Sequence, residues 1–278
     1  MENRRAAYWL IAPSAAIFAA LFVAPFVYFF VISFWSAKNY HLLPDFTFRN
    51  YVRTFAEHTD TLVFTLTLAL AIALATTGLG FVYAYLIRFK VGRWGPLLLF
   101  IALVTLFGGY LMKIYAWKTI LGNQGALNTA LMTLGLVREP VTALFYTPGA
   151  VVVTLVHFLL PFAILPIYSS LRGVSEIEVE AARDLGAGPW HVVAGIVIPR
   201  CRPGLTAAFT LCFLVSAGDY VTPVLVGGTI TMIGTMIVPQ FGNFFNWPLG
   251  SAMSFTMLLI AVVIIAGANG LMARWRPR

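Results

Sequence analysis

Residues Leu62–Ile87 read LVFTLTLALAIALATTGLGFVYAYLI, with no charged side chain among them. A helix needs about 20 predominantly apolar residues to cross a bilayer, and this run supplies them. Period-two alternation is not evident. In lipid every backbone polar group must be satisfied within a helix or a closed barrel, so the stretch is read as a transmembrane helix. Five other runs pass the same length test, giving expected spans near 8–35, 62–87, 96–115, 148–171, 205–226 and 251–273. The expected fold is an all-α polytopic membrane protein of six transmembrane helices, forming one transmembrane domain over residues 1–278.

Composition points the same way. Hydrophobic residues make up 60% of the chain and charged residues 10%, whereas soluble domains carry about 25% charged residues. The net charge of +8 would suit nucleic acid if Lys and Arg formed one face. They fall instead between apolar runs, so the expected partner is the lipid bilayer and not nucleic acid. The first run follows Arg4 and Arg5 and continues uncharged through Trp35, too long for a signal peptide. With the amino terminus inside, twelve of the 18 Lys and Arg residues lie in inside segments, including Arg88, Lys90, Arg93, Arg276 and Arg278. That bias places both termini in the cytoplasm.

Several chemistries are missing. Cys201 and Cys212 show no metal-ligand spacing and are read as thiols packed as small hydrophobes. His41, His58, His157 and His191 form no metal motif, so no metal site is expected. Neither a G-x-S-x-G nucleophile elbow nor a G-x-x-x-x-G-K-[ST] phosphate loop occurs. The chain is not read as an enzyme, and any ATP must bind a separate chain.

One inside loop is too long for a connector. Residues 172–203 read RGVSEIEVEAARDLGAGPWHVVAGIVIPRCRP and gather Glu176, Glu178, Glu180 and Asp184. Ser175 is placed to cap a helix whose first turn is acidic, as its dipole favours. Gly186 and Gly188 break that helix, and Pro189 suits the first turn of a second helix, expected to end before Pro199. The small Ala181, Ala182 and Gly186 leave room for a close partner, the helix-in-groove mode of recognition.

Glu180-Ala181-Ala182, Gly186 and Ile196-Val197-Ile198-Pro199 resemble the EAA signature of bacterial ABC importer permeases, with Ile198 where Leu is usual. Further stretches are similar to the PotB-like permeases of spermidine/putrescine importers: Tyr115-Ala116-Trp117, Leu160-Pro161-Phe162, Gly218–Pro223 and Asn246-Trp247-Pro248. The resemblance implies a type I ABC importer fold in the bacterial inner membrane. It implies partners too: a second, non-identical permease, two ATPase subunits that bind ATP and Mg, and a soluble substrate-binding protein. Glu180, Ala181, Ala182, Asp184 and Gly186 are then the expected ATPase-coupling residues. Related permeases for ferric ions, phosphonates or opines share the architecture. A secondary transporter would instead need coupling-ion sites or inverted repeats within the chain.

Asp219 lies within the fifth apolar run, where a carboxylate costs about 2.5–3.5 kcal/mol on insertion scales. Three readings are open: with Tyr220 it lines a path for a cationic substrate, it pairs with a Lys or Arg of a partner permease, or it caps a broken helix. Tyr110 and Trp117, with Lys113 and Tyr115, mark the outer end of the third span as pathway candidates or interfacial anchors. His157 suits a helix–helix hydrogen bond. The uncharged segment 227–250 is read as a re-entrant lip or a surface loop.

Overall fold

The computed structural model describes the backbone of residues 2–274 and the side chains of residues 10–274. The side chains of Arg4 and Arg5, and Arg276 and Arg278 entirely, lie outside the described residues. Among the described residues, five helices are long and apolar enough to cross a membrane: Leu10–Ile32, Arg49–Phe89, Pro148–Arg172, Pro189–Ala217 and Trp247–Arg274. Gly92–Phe107 and Tyr110–Thr133 pass the same test only as a pair, bent by 97°, and make a sixth span if counted together.

In chain order the elements begin with α1 (Glu2–Phe18), a π turn and α2 (Ala24–Ile32). A hairpin of β1 (Ser36–Lys38) and β2 (His41–Leu43) follows, then α3 (Arg49–Phe89). Next come α4 (Gly95–Val104), α5 (Tyr110–Leu121), α6 (Ala126–Thr133) and α7 (Pro148–Arg172). The inside loop holds α8 (Glu176–Asp184). After it, α9 (Pro189–Val192) runs through a π turn into α10 (Ile198–Ala217). The chain continues with α11 (Val221–Val226), α12 (Ile233–Gly242) and α13 (Trp247–Arg274).

Several sequence expectations need correction. The span expected at 96–115 is not one helix, because Gly108 and Gly109 take extended backbone (ψ 120° and 146°) between α4 and α5. Glycine disfavours helix by about 1 kcal/mol per residue, a penalty that a predominantly apolar composition does not reveal. The span expected at 205–226 begins earlier and ends at Ala217, with Gly218 as its C-cap. The second helix of the inside loop does not stop before Pro199. A π turn at Val193–Val197, closed by the Ile198 amide on the Val193 carbonyl, leads into α10 with Pro199 in its first turn. Proline lacks an amide proton and crowds the carbonyl four residues back; a π bulge relaxes that spacing. The segment 227–250 is also more regular than a lip or loop, since it contains α12.

The chain divides into two units. The first comprises Met1–Asp60 and Met236–Leu259. Aromatic side chains cluster in it: Phe34 stacks on Phe46 at 4.9 Å and meets Tyr51 at 5.3 Å, while Phe255 lies edge-on to Phe26 and Phe30. The hairpin is fastened by Asp45, whose carboxylate accepts the Ser36 amide at 2.7 Å and the Ser36 hydroxyl at 2.6 Å.

The second unit comprises Thr61–Thr235 and Ile260–Arg278. Its centre is the packing of α7 on α10, where Ile164, Ile167, Leu171, Cys201, Ala208 and Phe213 are fully buried. Both cysteines are free and buried, as the sequence suggested. Small residues set the helix spacing, as is usual in membranes. A Cβ on Gly204 would lie 2.4 Å from the Pro166 carbonyl, and the Gly204 amide donates to the Ser170 hydroxyl at 3.1 Å. Gly80 meets the Ala163 methyl in the same way, at 3.0 Å from its would-be Cβ. Thr147 opens α7 by accepting the Ala150 amide at 3.3 Å, with Pro148 at the first helical position. Asn128 joins the Gly122 carbonyl to the Val141 amide and so holds α6 in its bend.

Two measurements test this packing. Gly204→Val is expected to destabilise the detergent-solubilised protein by about 1–3 kcal/mol through overpacking, seen as a lowered midpoint in thermal unfolding. The hydrogen bonds from Ser36 hold the Asp45 carboxyl below its usual range. Because the folded value is depressed, the hairpin contact is present above the ordinary carboxylate range and is lost as pH falls through the lowered value. Ser36→Ala is expected to return Asp45 toward its ordinary titration, followed by NMR.

Candidate functional site

Both candidate regions lie within the second unit. The first is α8 and its flanking turns. Ser175 takes the N-cap conformation (φ −70°, ψ 129°), but its hydroxyl makes no cap bond, contrary to the sequence expectation. The first turn is held instead by charge. Glu176 accepts a hydrogen bond from Arg88 at the end of α3, and Glu178 accepts one from Arg200 in α10 at 2.8 Å. At 3.6 residues per turn these two glutamates point to opposite sides of α8. Val179, nearly fully buried, faces the protein between them.

The C-terminus of α8 forms a Schellman motif. Gly186 sits at φ +85°, its amide donates to the Arg183 carbonyl at 2.9 Å, and the Ala187 amide donates to the Ala182 carbonyl at 2.9 Å. The G of the E-A-A-x-x-x-G spacing is therefore the left-handed residue that ends the helix. What remains outward is the strip Ile177, Ala181 and Asp184, continued by Leu185. Ile177 is 77% exposed, Leu185 89% and Trp190 of α9 79%. Glu180 and Ala182 flank the strip. Glu180 also lines a polar cavity of about 240 Å³ with Arg88, Glu176 and Arg183.

The second region is the break after α10. Asp219 is almost fully buried and accepts three donors on Oδ1: the Tyr110 hydroxyl at 2.5 Å, the Val221 amide at 3.1 Å and the Thr222 amide at 3.5 Å. Thr222 and Tyr110 share a further hydrogen bond at 2.9 Å. Asp219 thus caps the start of α11, one of the three roles left open by the sequence. Its Oδ2 is buried without a partner among the described residues. Tyr110 packs on Phe158 at 4.7 Å, and one turn later Lys113 places its buried, unpartnered Nζ 5.3 Å from the centre of the same ring.

Of the four pathway candidates, the structure brings Tyr110 and Asp219 together. Tyr220 stays outside the cluster and is half-exposed. Trp117 lies two turns along the same face of α5 and donates Nε1–H to His157 Nδ1 at 3.2 Å, the helix–helix bond expected for His157. Sequence reasoning missed Thr222, although the D-x-x-T spacing at a helix start is a capping signal. It also read Arg88 and Arg200 only as topology charges. Their nearness to the acidic loop was the available hint.

The family of binding-protein-dependent transport system inner membrane components matches residues 89–278. This chain belongs to that family. It is a membrane transport component and not an enzyme, and the matched region contains α8 and the break after α10. A relative from Salmonella typhimurium, the spermidine/putrescine transport system permease protein PotB, is 39% identical over 166 residues, covering 59% of this chain and 58% of that one. A Salmonella typhi protein named as a putative 2-aminoethylphosphonate transport system permease is 30% identical over 112 residues, covering 40% of this chain and 39% of its own. In both cases the match spans less than two thirds of the relative's length. A solved bacterial alginate ABC transporter, in complex with an alginate pentasaccharide-bound periplasmic protein, shares the fold at a TM-score of 0.78 and 17% identity, over 98% of this chain and 95% of that one. The permease fold of ABC transporters is therefore the fold of this chain.

Gly186 has open space around a would-be Cβ, so a substitution there tests backbone conformation alone. In Gly186→Ala the left-handed residue gains about 1–2 kcal/mol of strain. The Ala187 amide is expected to exchange with solvent about tenfold faster, measured by hydrogen–deuterium exchange.

Proposed function

We propose that this permease forms half of the translocation pathway of a polyamine importer, driven by ATPase subunits that dock on α8. The observation that carries the reading is the unpartnered Asp219 Oδ2, a buried carboxylate oxygen next to Tyr110, whose ring packs on Phe158. A buried charge is tolerated where a partner completes it, and a substrate ammonium supplies one. Aromatic faces add favourable contact with a cation. The likeness to PotB supports spermidine or putrescine as cargo.

The surface of α8 supports the coupling half of the reading. Ile177, Leu185 and Trp190 leave an apolar strip exposed on a polar loop. Asp184 ends the helix where its dipole disfavours a carboxylate, and no described cation pairs with it. Both features suit contact with another chain. Glu180, Ala181, Ala182, Asp184 and Gly186 are the proposed coupling residues, Gly186 through the turn it makes. ATP and Mg belong to the partner ATPases in this scheme. Two ATPases, a non-identical second permease and a soluble binding protein complete the assembly, and both termini face the cytoplasm. Alternating access then follows from ATP-driven closure beneath the docked loops.

A second reading rests on Lys113. Its buried, unpartnered ammonium favours a substrate with an anionic end as well, such as an aminophosphonate, and the 2-aminoethylphosphonate relative is in accord with that.

Uptake in proteoliposomes holding the complete complex, with the binding protein added, separates the two. Spermidine and putrescine are expected to be carried, and Asp219→Asn to reduce their uptake about tenfold or more for loss of one charged contact. Unchanged uptake by Asp219→Asn removes the pathway role, and uptake of the aminophosphonate alone selects the second reading.

A further inference from the structure

The four acidic residues of α8 fall into two sets. Glu180 and Asp184 have no ion-pair partner among the described residues. Glu176 and Glu178 are engaged, and by arginines from two different helices: Arg88 closes α3, and Arg200 lies in the first turns of α10. The two bonds act on opposite sides of a helix that anchors to the protein through Val179 between them. A helix held on one side pivots. Held on both, it cannot roll about its axis without breaking one of the two pairs. Arg88 is itself only 23% exposed, so its guanidinium is presented from a packed position. The cavity beneath Glu180 lies on the Arg88 side and leaves room for α8 to rotate when that pair opens.

The geometry points to Arg88 and Arg200 as positioning residues that fix the roll of α8, so that motion of a docked ATPase passes into α3 and α10 together. This rests on the coupling reading of α8 and adds the device by which the helix grips its own chain. With the clasp intact, Ile177, Ala181 and Asp184 are kept on the outward strip. With it broken, α8 turns under load and the spans receive less of the movement. Arg88 and Arg200 touch neither nucleotide nor cargo in this scheme, so their loss acts on coupling and leaves substrate affinity alone.

The test uses the complete complex in proteoliposomes and reads substrate transported per ATP hydrolysed. The double variant Arg88→Gln with Arg200→Gln is expected to retain the ATPase on purification and to lower that ratio about fivefold, at an unchanged half-saturating substrate concentration. The charge exchange Arg88→Glu with Glu176→Arg restores one pair and is expected to recover most of the ratio relative to Arg88→Glu alone. That recovery separates positioning from a general folding defect. A double variant with the wild-type ratio overturns the clasp, as does an exchanged pair no better than Arg88→Glu alone. Ala181→Trp, on the outward strip, is the control for the underlying reading. If the ATPase is retained and coupled in Ala181→Trp, docking on α8 is wrong and the clasp falls with it. If Ala181→Trp disrupts docking while the arginine variants couple normally, the clasp alone fails.

Discussion

Inside a bilayer there is no water to satisfy a backbone amide or carbonyl, and each orphan costs several kcal/mol. That constraint governs where this chain breaks its helices and what surrounds each break. At Gly218-Asp219 the amides that open α11 turn to the Asp219 carboxylate. At the start of α12 the Ile233 amide donates to the Thr65 hydroxyl of α3 at 2.9 Å. Ser216, one residue before the end of α10, donates to the Ala69 carbonyl of α3 at 3.3 Å as well as to its own helix. Side chains at the break and on α3 therefore satisfy the amides that open α11 and α12. Many buried polar atoms of the second unit have structural work; Asp219 Oδ2 and Lys113 Nζ are left without a partner, as are Thr77 Oγ1, Arg88 Nε and Arg202 Nε.

The inside loop obeys a different balance. A helix as short as α8 is marginal by itself, and it buries little beyond Val179. Exposed ion pairs contribute only about 0–1 kcal/mol each, so Glu176 and Glu178 do not hold the fold together; the α7–α10 packing does. Weak pairs nevertheless select one orientation when they act from opposite sides. The Schellman turn at Gly186 contributes in the same way, by fixing the exit of the chain toward Pro189. The loop is thus specified by several small terms that agree in direction.

How much of this was legible in the sequence follows from the range of each interaction. Membrane helices announce themselves by composition over a single run, so α7 and α13 lie close to their expected extents, whereas α3 begins at Arg49, well before the expected 62, because its first turns are polar. The α4–α5 break was missed because two glycines change conformation without changing hydropathy. The start of α10 is hidden because Pro199 is locally a stop signal, and the π turn that accommodates it has no sequence signature. Within α8 the EAA spacing was informative because its glycine has a local job. Asp219 was conspicuous as a charge in an apolar run. Its contact with Tyr110 spans 109 positions, and that of Arg88 with Glu176 spans 88. No local pattern encodes either pairing.

The two regions are joined by one element. From Pro189 to Ala217 the chain is helical without interruption, and at 1.5 Å per residue its 29 residues span about 44 Å. Arg200 ties the inside end of this rod to Glu178 of α8, and the other end stops one residue short of the Gly218-Asp219 break. Ser216 ties the same end to α3, whose own inside terminus carries Arg88. Both arginines that hold α8 thus belong to helices that meet again beside Asp219. A rigid helix transmits rotation and translation without attenuation by its own bending, whereas a chain of loops does not. The break at Gly218 is where that rigidity ends, and a carboxylate placed there changes its surroundings whenever the rod moves. The capping bonds to Val221 and Thr222 come from the segment beyond the break and the bond to Tyr110 from α5, so displacement of α10 alters all three at once. A site built on a helix break coordinates the ends of several elements, and for that reason it responds to movements that leave each helix intact.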